Sequence, residues 1–338
     1  MPKILAIESS CDDTAIAVCC GGKILASFVS SQAQAHTSYG GVLPELASRI
    51  HQQQITPLAR LACETAKIKP ADLDAVACTA GPGLLGSLLV GVSFAKGLAL
   101  ALAKPLIAVN HLQGHYCSLF INQPKPVFPM LCLTVSGGHT QLVLVHEPLK
   151  AEVISQTRDD AAGEVFDKAA KLLSLPYPGG PSIDRYAQTG NPERFTFPVS
   201  QLPNFEYTFS GLKTALLYFL KEKLSQNPDF INQNIYDICA SFQSAVVKQL
   251  VSQLTKAART LSIKHIGLSG GVAANSALRK AVTDICQKES WLYSIASPNV
   301  CSDNAAMIAL AAHYQYLQGT FSNQTLVPYS SMGSSFSR

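Results

Sequence analysis

With 338 residues, the chain is long enough for one large domain or, as its patterning favours, two. Only 14% of its residues are charged, well below the roughly 25% usual for globular proteins, and 47% are hydrophobic, which predicts a large buried interior under a small solvated surface. A net charge of +4 permits an RNA partner without requiring one, because no basic run stands out, and ten cysteines without a C-x-x-C pair read as reduced, mostly buried thiols rather than a disulfide framework.

The first element is a strand at residues 4–7 that runs into Glu8, Asp12 and Asp13; no signal peptide has that shape, and the chain is expected in the cytoplasm. Residues 3–18 predict a strand, a small polar turn and a second strand, and residues 23–29 a third. A helix follows over 41–63, then a strand over 75–83 ending in Gly81-Pro-Gly83. Residues 84–103 are nearly all apolar or small and imitate a membrane span. Lys96 interrupts them and Ser87, Gly91, Ser93 and Gly97 dilute them, so the expectation is a helix buried against a sheet, with no membrane association.

The pattern then returns. Residues 130–145 repeat strand, turn, strand, and 151–156 supply the third strand; helices are predicted over 163–173 and 235–261, and a strand over 265–272 again ends in glycine and opens a helix. Strand hairpins followed by alternating helices and strands, done twice, predict an α/β protein made of two related domains with a ligand cleft between them. The boundaries expected are 1–110 for the first domain, 111–302 for the second, a C-terminal helix over 303–320 packing back on the first, and a C-terminal tail over 321–338 that is serine-rich from 330. Pro124, Pro126 and Pro129 punctuate the junction.

Four motifs carry chemistry. His111-Leu-Gln-Gly-His115 places two imidazoles one helical turn apart, where they can share a metal; two satisfied core histidines would look the same without a third ligand. Asp303, at a helix start after Pro298, is the candidate third. Two histidines and one carboxylate make an open site suited to Fe²⁺ or Zn²⁺, and Leu112 stands where a metalloprotease would carry its glutamate. Val135-Ser-Gly-Gly-His-Thr140 offers backbone N–H groups to an anion, or is a plain hairpin turn. Gly267-Leu-Ser-Gly-Gly-Val-Ala-Ala-Asn275 is a strand–helix turn that can hold an adenosine, with Asn275 inside the first helical turn; it is not G-x-G-x-x-G. The acidic stretch Asp159–Lys168 and the constrained loop Pro178-Gly-Gly-Pro181 both suit a ligand, although a solvated helix face explains the acids equally well.

Together with Glu8-Ser-Ser-Cys-Asp12, Gly163-Glu-Val-Phe-Asp-Lys168, Phe209-Ser-Gly-Leu-Lys213 and Ser302-Asp-Asn304, these motifs make the chain resemble, from residue 4 to about 312, the universal tRNA N6-adenosine threonylcarbamoyltransferase family, formerly described as O-sialoglycoprotein endopeptidases. The resemblance implies the actin-like, Hsp70-like ATPase fold. It implies that His111, His115 and Asp303 hold one divalent metal, Fe²⁺ before Zn²⁺, and that Thr134, Val135, Ser136, Gly137, Gly138, Asp167, Gly180, Asp184 and Asn275 bind the adenylate. The implied reaction moves the threonylcarbamoyl group from threonylcarbamoyl-AMP to N6 of adenosine 37 in the anticodon loop of tRNAs reading codons that begin with A. The implied partners are a fold-related paralogue of TsaB type and a small ATPase of TsaE type, with a homodimer forming when the chain is alone.

The chain departs from the family's pattern at Asp13 and Gln113, where glutamate is usual; the first shortens the reach of a charge and the second removes one. In the expected chemistry the cation is a Lewis acid, the N–H groups near Gly137 and Gly138 hold the phosphate, Asp12 is the candidate general base, and Cys11 is buried rather than nucleophilic. A sugar or acetate kinase of the same fold would need ATP turnover and a small-molecule pocket. A non-catalytic paralogue would be expected to lack the histidine pair.

Overall fold

The computed structural model describes residues 1–121 and 127–331. The chain opens with β1 (Lys3–Glu8), β2 (Asp13–Cys20) and β3 (Lys23–Ser31), and continues through α1 (Ala33–His36), α2 (Pro44–Ala66), β4 (Ala75–Gly81), α3 (Leu85–Ala101), β5 (Leu106–Asn110) and α4 (His111–Cys117). A second set follows: β6 (Met130–Val135), β7 (Thr140–Glu147), β8 (Lys150–Gln156), α5 (Ala162–Leu172), α6 (Gly179–Ala187), α7 (Ser210–Gln226), α8 (Phe230–Thr260), β9 (His265–Ser269), α9 (Ser276–Glu289) and β10 (Leu292–Ile295). Two more helices close the chain, α10 (Pro298–Cys301) and α11 (Ala305–Leu317).

The duplication is real at the level of strand order. One sheet runs β3-β2-β1-β4-β5, and the other, read from its far edge, runs β8-β7-β6-β9-β10. In the first, β1 pairs antiparallel with β2 and parallel with β4; in the second, β6 does the same with β7 and β9. The inner strands β1, β4, β6 and β9 are near-continuous buried apolar runs, as sheets covered on both faces require, whereas the outer β3 is largely exposed and alternates.

Two compact units result. One comprises Met1–Pro126, Glu147–Lys150 and Asn299–Arg338, the other Val127–His146 and Ala151–Pro298. Residues 111–121, α4 included, lie in the first unit, and residues 299–331 return to it. The physical reason is α4: it packs on β5 and α11, so both histidines of the motif belong to the first unit. The C-terminal helix does return to that unit, where α11 buries residues 305–312 against β1 and β2. Pro124, Pro126 and tail residues 332–338 lie outside the described residues.

The membrane-like segment is α3, and no helix of the described residues is long and apolar enough to cross a membrane. Its apolar character has two sources. Small residues, Ser87, Gly91, Ala95 and Ala99, let the helix approach the sheet, with Leu88 and Val92 beside them; Leu85, Leu89 and Leu100 remain 48%, 47% and 71% exposed. All ten cysteines are free and eight are buried.

Gly270, where β9 ends, shows how tightly the second unit is threaded. Its φ of +89° is accessible essentially to glycine alone, and a Cβ would fall on the backbone of Val135. Gly270→Ala is expected to lower stability by about 2–4 kcal/mol, from backbone strain plus overpacking. Denaturant unfolding measures it, and an unshifted midpoint would contradict this account of the turn.

Candidate metal centre and nucleotide-binding turn

In the first unit, Asn110 ends β5 and caps α4, its Oδ1 accepting from Gln113 N at 3.0 Å, so the helix begins at His111. His111 and His115 then share one face, with ring centroids 4.6 Å apart, and both are buried. Asp303 sits in the turn between α10 and α11; Asn304, not Asp303, caps α11 through Met307 N. Asp303 Oδ1 lies 3.5 Å from His111 Nε2 and 3.3 Å from His115 Nε2. One ligand atom from each of the three residues falls within 4.8 Å of the others.

The set fits a divalent cation. His115 is fully buried, and among the described residues neither ring nitrogen makes a hydrogen bond, its Nε2 lying 3.3 Å from Asp303 Oδ1. A buried imidazole without hydrogen bonds is costly unless something else takes its lone pair. Two imidazole nitrogens and one carboxylate oxygen suit Fe²⁺ or Zn²⁺ and leave positions open.

Glu8 holds the set in place, and no role for it was read from the sequence. It ends β1, is completely buried, and its Oε2 stands 3.0 Å from His111 Nδ1. The same carboxylate accepts from Thr79 Oγ1 at 2.6 Å and Ser10 N at 2.5 Å, while Ser10 Oγ also lies 3.2 Å from His111 Nδ1. A carboxylate can only accept here, so Nδ1 carries a proton and Nε2 is turned toward Asp303 and His115. The signal that could have found Glu8 is a charge at the end of an otherwise apolar central strand.

The electrostatics follow. Burial works against the charge on His111, but Glu8 first and Asp303 second overcome it and carry His111 up to about 9. Burial likewise opposes the charge on Glu8, and His111 overcomes it, holding Glu8 below the usual carboxylate range. His115 goes the other way, lowered by burial and by the charge of His111.

Near this cluster, Asp12 is half-exposed in the β1–β2 turn, and Asp13 beside it is pushed up to about 7 by burial, against a hydrogen bond with Ser31. Cys11 in the same turn is partly exposed rather than buried, but burial of its thiol and the neighbouring Asp12 push its pKa far up, which leaves it a poor nucleophile. Gln113 accepts a hydrogen bond from Gln315 Nε2 of α11 at 3.3 Å.

In the second unit, the turn after β6 is built on Ser136, whose N donates to His139 O at 2.8 Å and whose Oγ accepts from His139 N. Gly137 and Gly138 lie at its exposed tip, and a Cβ on either would meet nothing. Their N–H groups make no hydrogen bond among the described residues. Thr134 Oγ1 is held by Ser269 Oγ at 3.1 Å.

The remaining residues of the set act partly as braces. Asp167 Oδ1 accepts from Gly179 N at 2.7 Å, and Asp184 accepts from both N and Oγ of Ser276. Pro178-Gly-Gly-Pro181 is not a loop: Gly179 and Gly180 begin α6, and Pro181 sits in its first turn, where no N–H is needed. Asn275 is the N-cap of α9, not part of its first turn, because a short 3-10 turn, Gly271–Ala274, intervenes. Its Oδ1 accepts from Leu278 N and its Nδ2 donates to Gln243 Oε1 at 2.7 Å.

A sequence model of the tRNA N6-adenosine threonylcarbamoyltransferase family matches residues 23–310. The chain is 53% identical over 325 residues to the tRNA N6-adenosine threonylcarbamoyltransferase of Cytophaga hutchinsonii, covering 96% of this chain and 94% of that one. It is 49% identical over 332 residues to that of Porphyromonas gingivalis, covering 97% of each. Among solved structures, HypF of T. kodakarensis aligns with a TM-score of 0.58 at 15% identity, over 96% of this chain and 49% of that one. The activator of the 2-hydroxyisocaproyl-CoA dehydratase from Clostridium difficile, with bound ADPNP, aligns at 0.52 and 15%, over 95% and 98%. At these identities the structural likeness shows the fold.

The Glu8–His111 pair makes a prediction for the metal-free protein. His111 is raised, so its stabilising charge is complete below the ordinary value of 6.5 and is lost as pH climbs through about 9. Glu8→Gln is expected to bring the His111 midpoint, followed by ring-proton NMR, from about 9 to near 6.5 or below. It should also erase that part of the alkaline loss of stability between 6.5 and 9, cysteine ionisation being common to both chains. A His111 midpoint that stays put would refute the pairing.

Proposed function

The chain belongs to the tRNA N6-adenosine threonylcarbamoyltransferase family, and on that premise we propose that His111, His115 and Asp303 hold a divalent cation and that the turn from Thr134 to Gly138 holds the adenylate. The fold is the duplicated actin-like, Hsp70-like ATPase fold. The enzyme transfers the threonylcarbamoyl group from threonylcarbamoyl-AMP to N6 of adenosine 37 in tRNAs reading codons that begin with A. The N6 amine attacks the carbamoyl carbon, the bond from that carbon to the phosphate oxygen breaks, N6 gives up a proton, and AMP leaves.

The observation that carries the cation assignment is His115, a fully buried imidazole whose ring nitrogens are unsatisfied and whose Nε2 faces Asp303. When bound, a cation there supplies Lewis acidity and a fixed anchor for the substrate's oxygens. Glu8 keeps Nε2 of His111 as the ligating nitrogen. The Gly137 and Gly138 N–H groups donate to phosphate oxygens, and their position at the tip of a turn leaves no side chain in the way. Asp12 accepts the N6 proton, which its place in the half-exposed turn beside Asp13 supports. Fe²⁺ is the cation favoured and Zn²⁺ the second choice. A fold-related paralogue and a small ATPase are the partners, with a homodimer in their absence; the exposed leucines of α3 offer an apolar face for association.

Asn275 serves the adenylate by holding the start of α9 beside Asp184's bonds to Ser276. Asn275→Ala is expected to lower stability by about 1 kcal/mol through the lost cap and to weaken a non-hydrolysable adenylate by about 1–3 kcal/mol. Calorimetry decides it, and unchanged affinity would remove Asn275 from the adenylate site.

The cation reading is tested on three preparations. His111→Ala with His115→Ala should lose the ion and nearly all transfer while the fold survives. Asp303→Asn should retain it more weakly, because an amide oxygen still coordinates. Chelation of the parent should abolish transfer, and Fe²⁺ or Zn²⁺ should restore it. A double-histidine variant that still carries stoichiometric metal, or transfers at the parent rate without it, would sink the site.

A further inference from the structure

The segment after α11 returns to the first sheet along β5, an outer strand. Ser322 N donates to Leu106 O at 2.8 Å and its Oγ accepts from Ala108 N at 3.3 Å. Seven residues later the segment reaches the end of β4: Tyr329 N donates to Ala80 O at 3.0 Å, and Ser330 O accepts from Gly83 N at 3.3 Å. The approach is close enough to require glycine at position 81, where φ is +146° and a Cβ would fall on the carbonyl and ring of Tyr329.

This strap touches the histidine helix by two routes. On one side, Asn110 Nδ2 donates to the Tyr329 hydroxyl at 2.8 Å while Asn110 Oδ1 accepts from Gln113 N. Tyr329 therefore holds the amide that caps α4 and sets where His111 begins. On the other side, the residue after Gly83 donates to Ser10, Leu84 N to Ser10 O at 2.7 Å, and Ser10 Oγ lies 3.2 Å from His111 Nδ1. The strap is thus in contact with the supports on both flanks of His111, and on the α4 side the Tyr329 hydroxyl makes the link, to Asn110.

We propose that Tyr329 is a positioning residue of the cation site: its hydroxyl fixes the Asn110 amide, Asn110 fixes the first turn of α4, and that turn sets the aim of His111. The idea rests on the assignment of His111 and His115 as ligands. Tyr329 touches neither histidine and takes no part in the chemistry.

The test uses the full chain and Zn²⁺ alone, by competition with a chromophoric chelator. Tyr329→Phe keeps the ring and removes one hydroxyl, and is expected to weaken Zn²⁺ about two- to ten-fold, the scale of one lost hydrogen bond. Asn110→Ala should weaken it at least as much, and the double variant no more than Asn110→Ala alone, because the two act in series. In the metal-free chain, exchange of the Gln113 amide should speed up in Tyr329→Phe while the Leu278 amide, capped by Asn275 in the other unit, stays as in the parent; a general loss of stability would move both. Unchanged Zn²⁺ affinity in Tyr329→Phe, or additive losses in the double variant, would overturn the proposal. A parent chain that binds no Zn²⁺ would remove the ligand assignment instead; the positioning role then stands or falls on whether Gln113 exchange responds.

Discussion

A buried carboxylate at the end of a central strand is the constraint from which the first unit's site follows. Glu8 cannot be left ionised in an apolar sheet without partners, because an unpaired buried charge costs several kcal/mol or more. Three segments supply them: Thr79 at the end of β4, the backbone of Ser10 in the β1–β2 turn, and His111 at the start of α4. Satisfying one carboxylate therefore brings together the ends of two neighbouring strands and a helix that comes more than one hundred residues later. His111, turned by that contact, presents Nε2 to Asp303, and His115 follows because it lies one helical turn further along the same face.

The second unit solves the same topological position with neutral groups. Where β1 ends in Glu8 beside Thr79 of β4, β6 ends near Thr134 beside Ser269 of β9, and the two hydroxyls bond to each other. No buried charge has to be matched there, and the turn beyond it ends in two glycines with open N–H groups, a surface for an anion. One strand order thus carries two different strand ends: a carboxylate that orients the His111 imidazole, and a turn of two glycines with open N–H groups.

Three elements differ from what their local sequence suggests. The apolar stretch at α3 looked uniformly buried because composition does not distinguish small residues facing a sheet from leucines facing out; only the helix's placement separates Gly91 and Ala95 from Leu85 and Leu89. Pro178 to Pro181 looked like a loop because proline and glycine usually break helices, yet at a helix start their missing N–H and missing side chain carry no cost. Asn275 looked like a free hydrogen-bonding group, but a cap and a glutamine occupy both ends of its amide. For α3 and for Asn275 the neighbours that give the pattern its meaning, the sheet and Gln243, are distant in the chain.

Strand hairpins, their repetition, the spacing of His111 and His115 and the glycine turn at Gly137 and Gly138 were all legible in the sequence, since they depend on periodicity and on backbone needs that neighbouring residues express. The packing of α4 in the first unit, the burial of α11 on the first sheet, the pairing of Glu8 with His111, and the strap that brings Tyr329 to Asn110 were decided only by tertiary structure. Those contacts join residues 100 to 300 positions apart, and their energy comes from desolvation and partner geometry, neither of which exists until the chain has closed on itself.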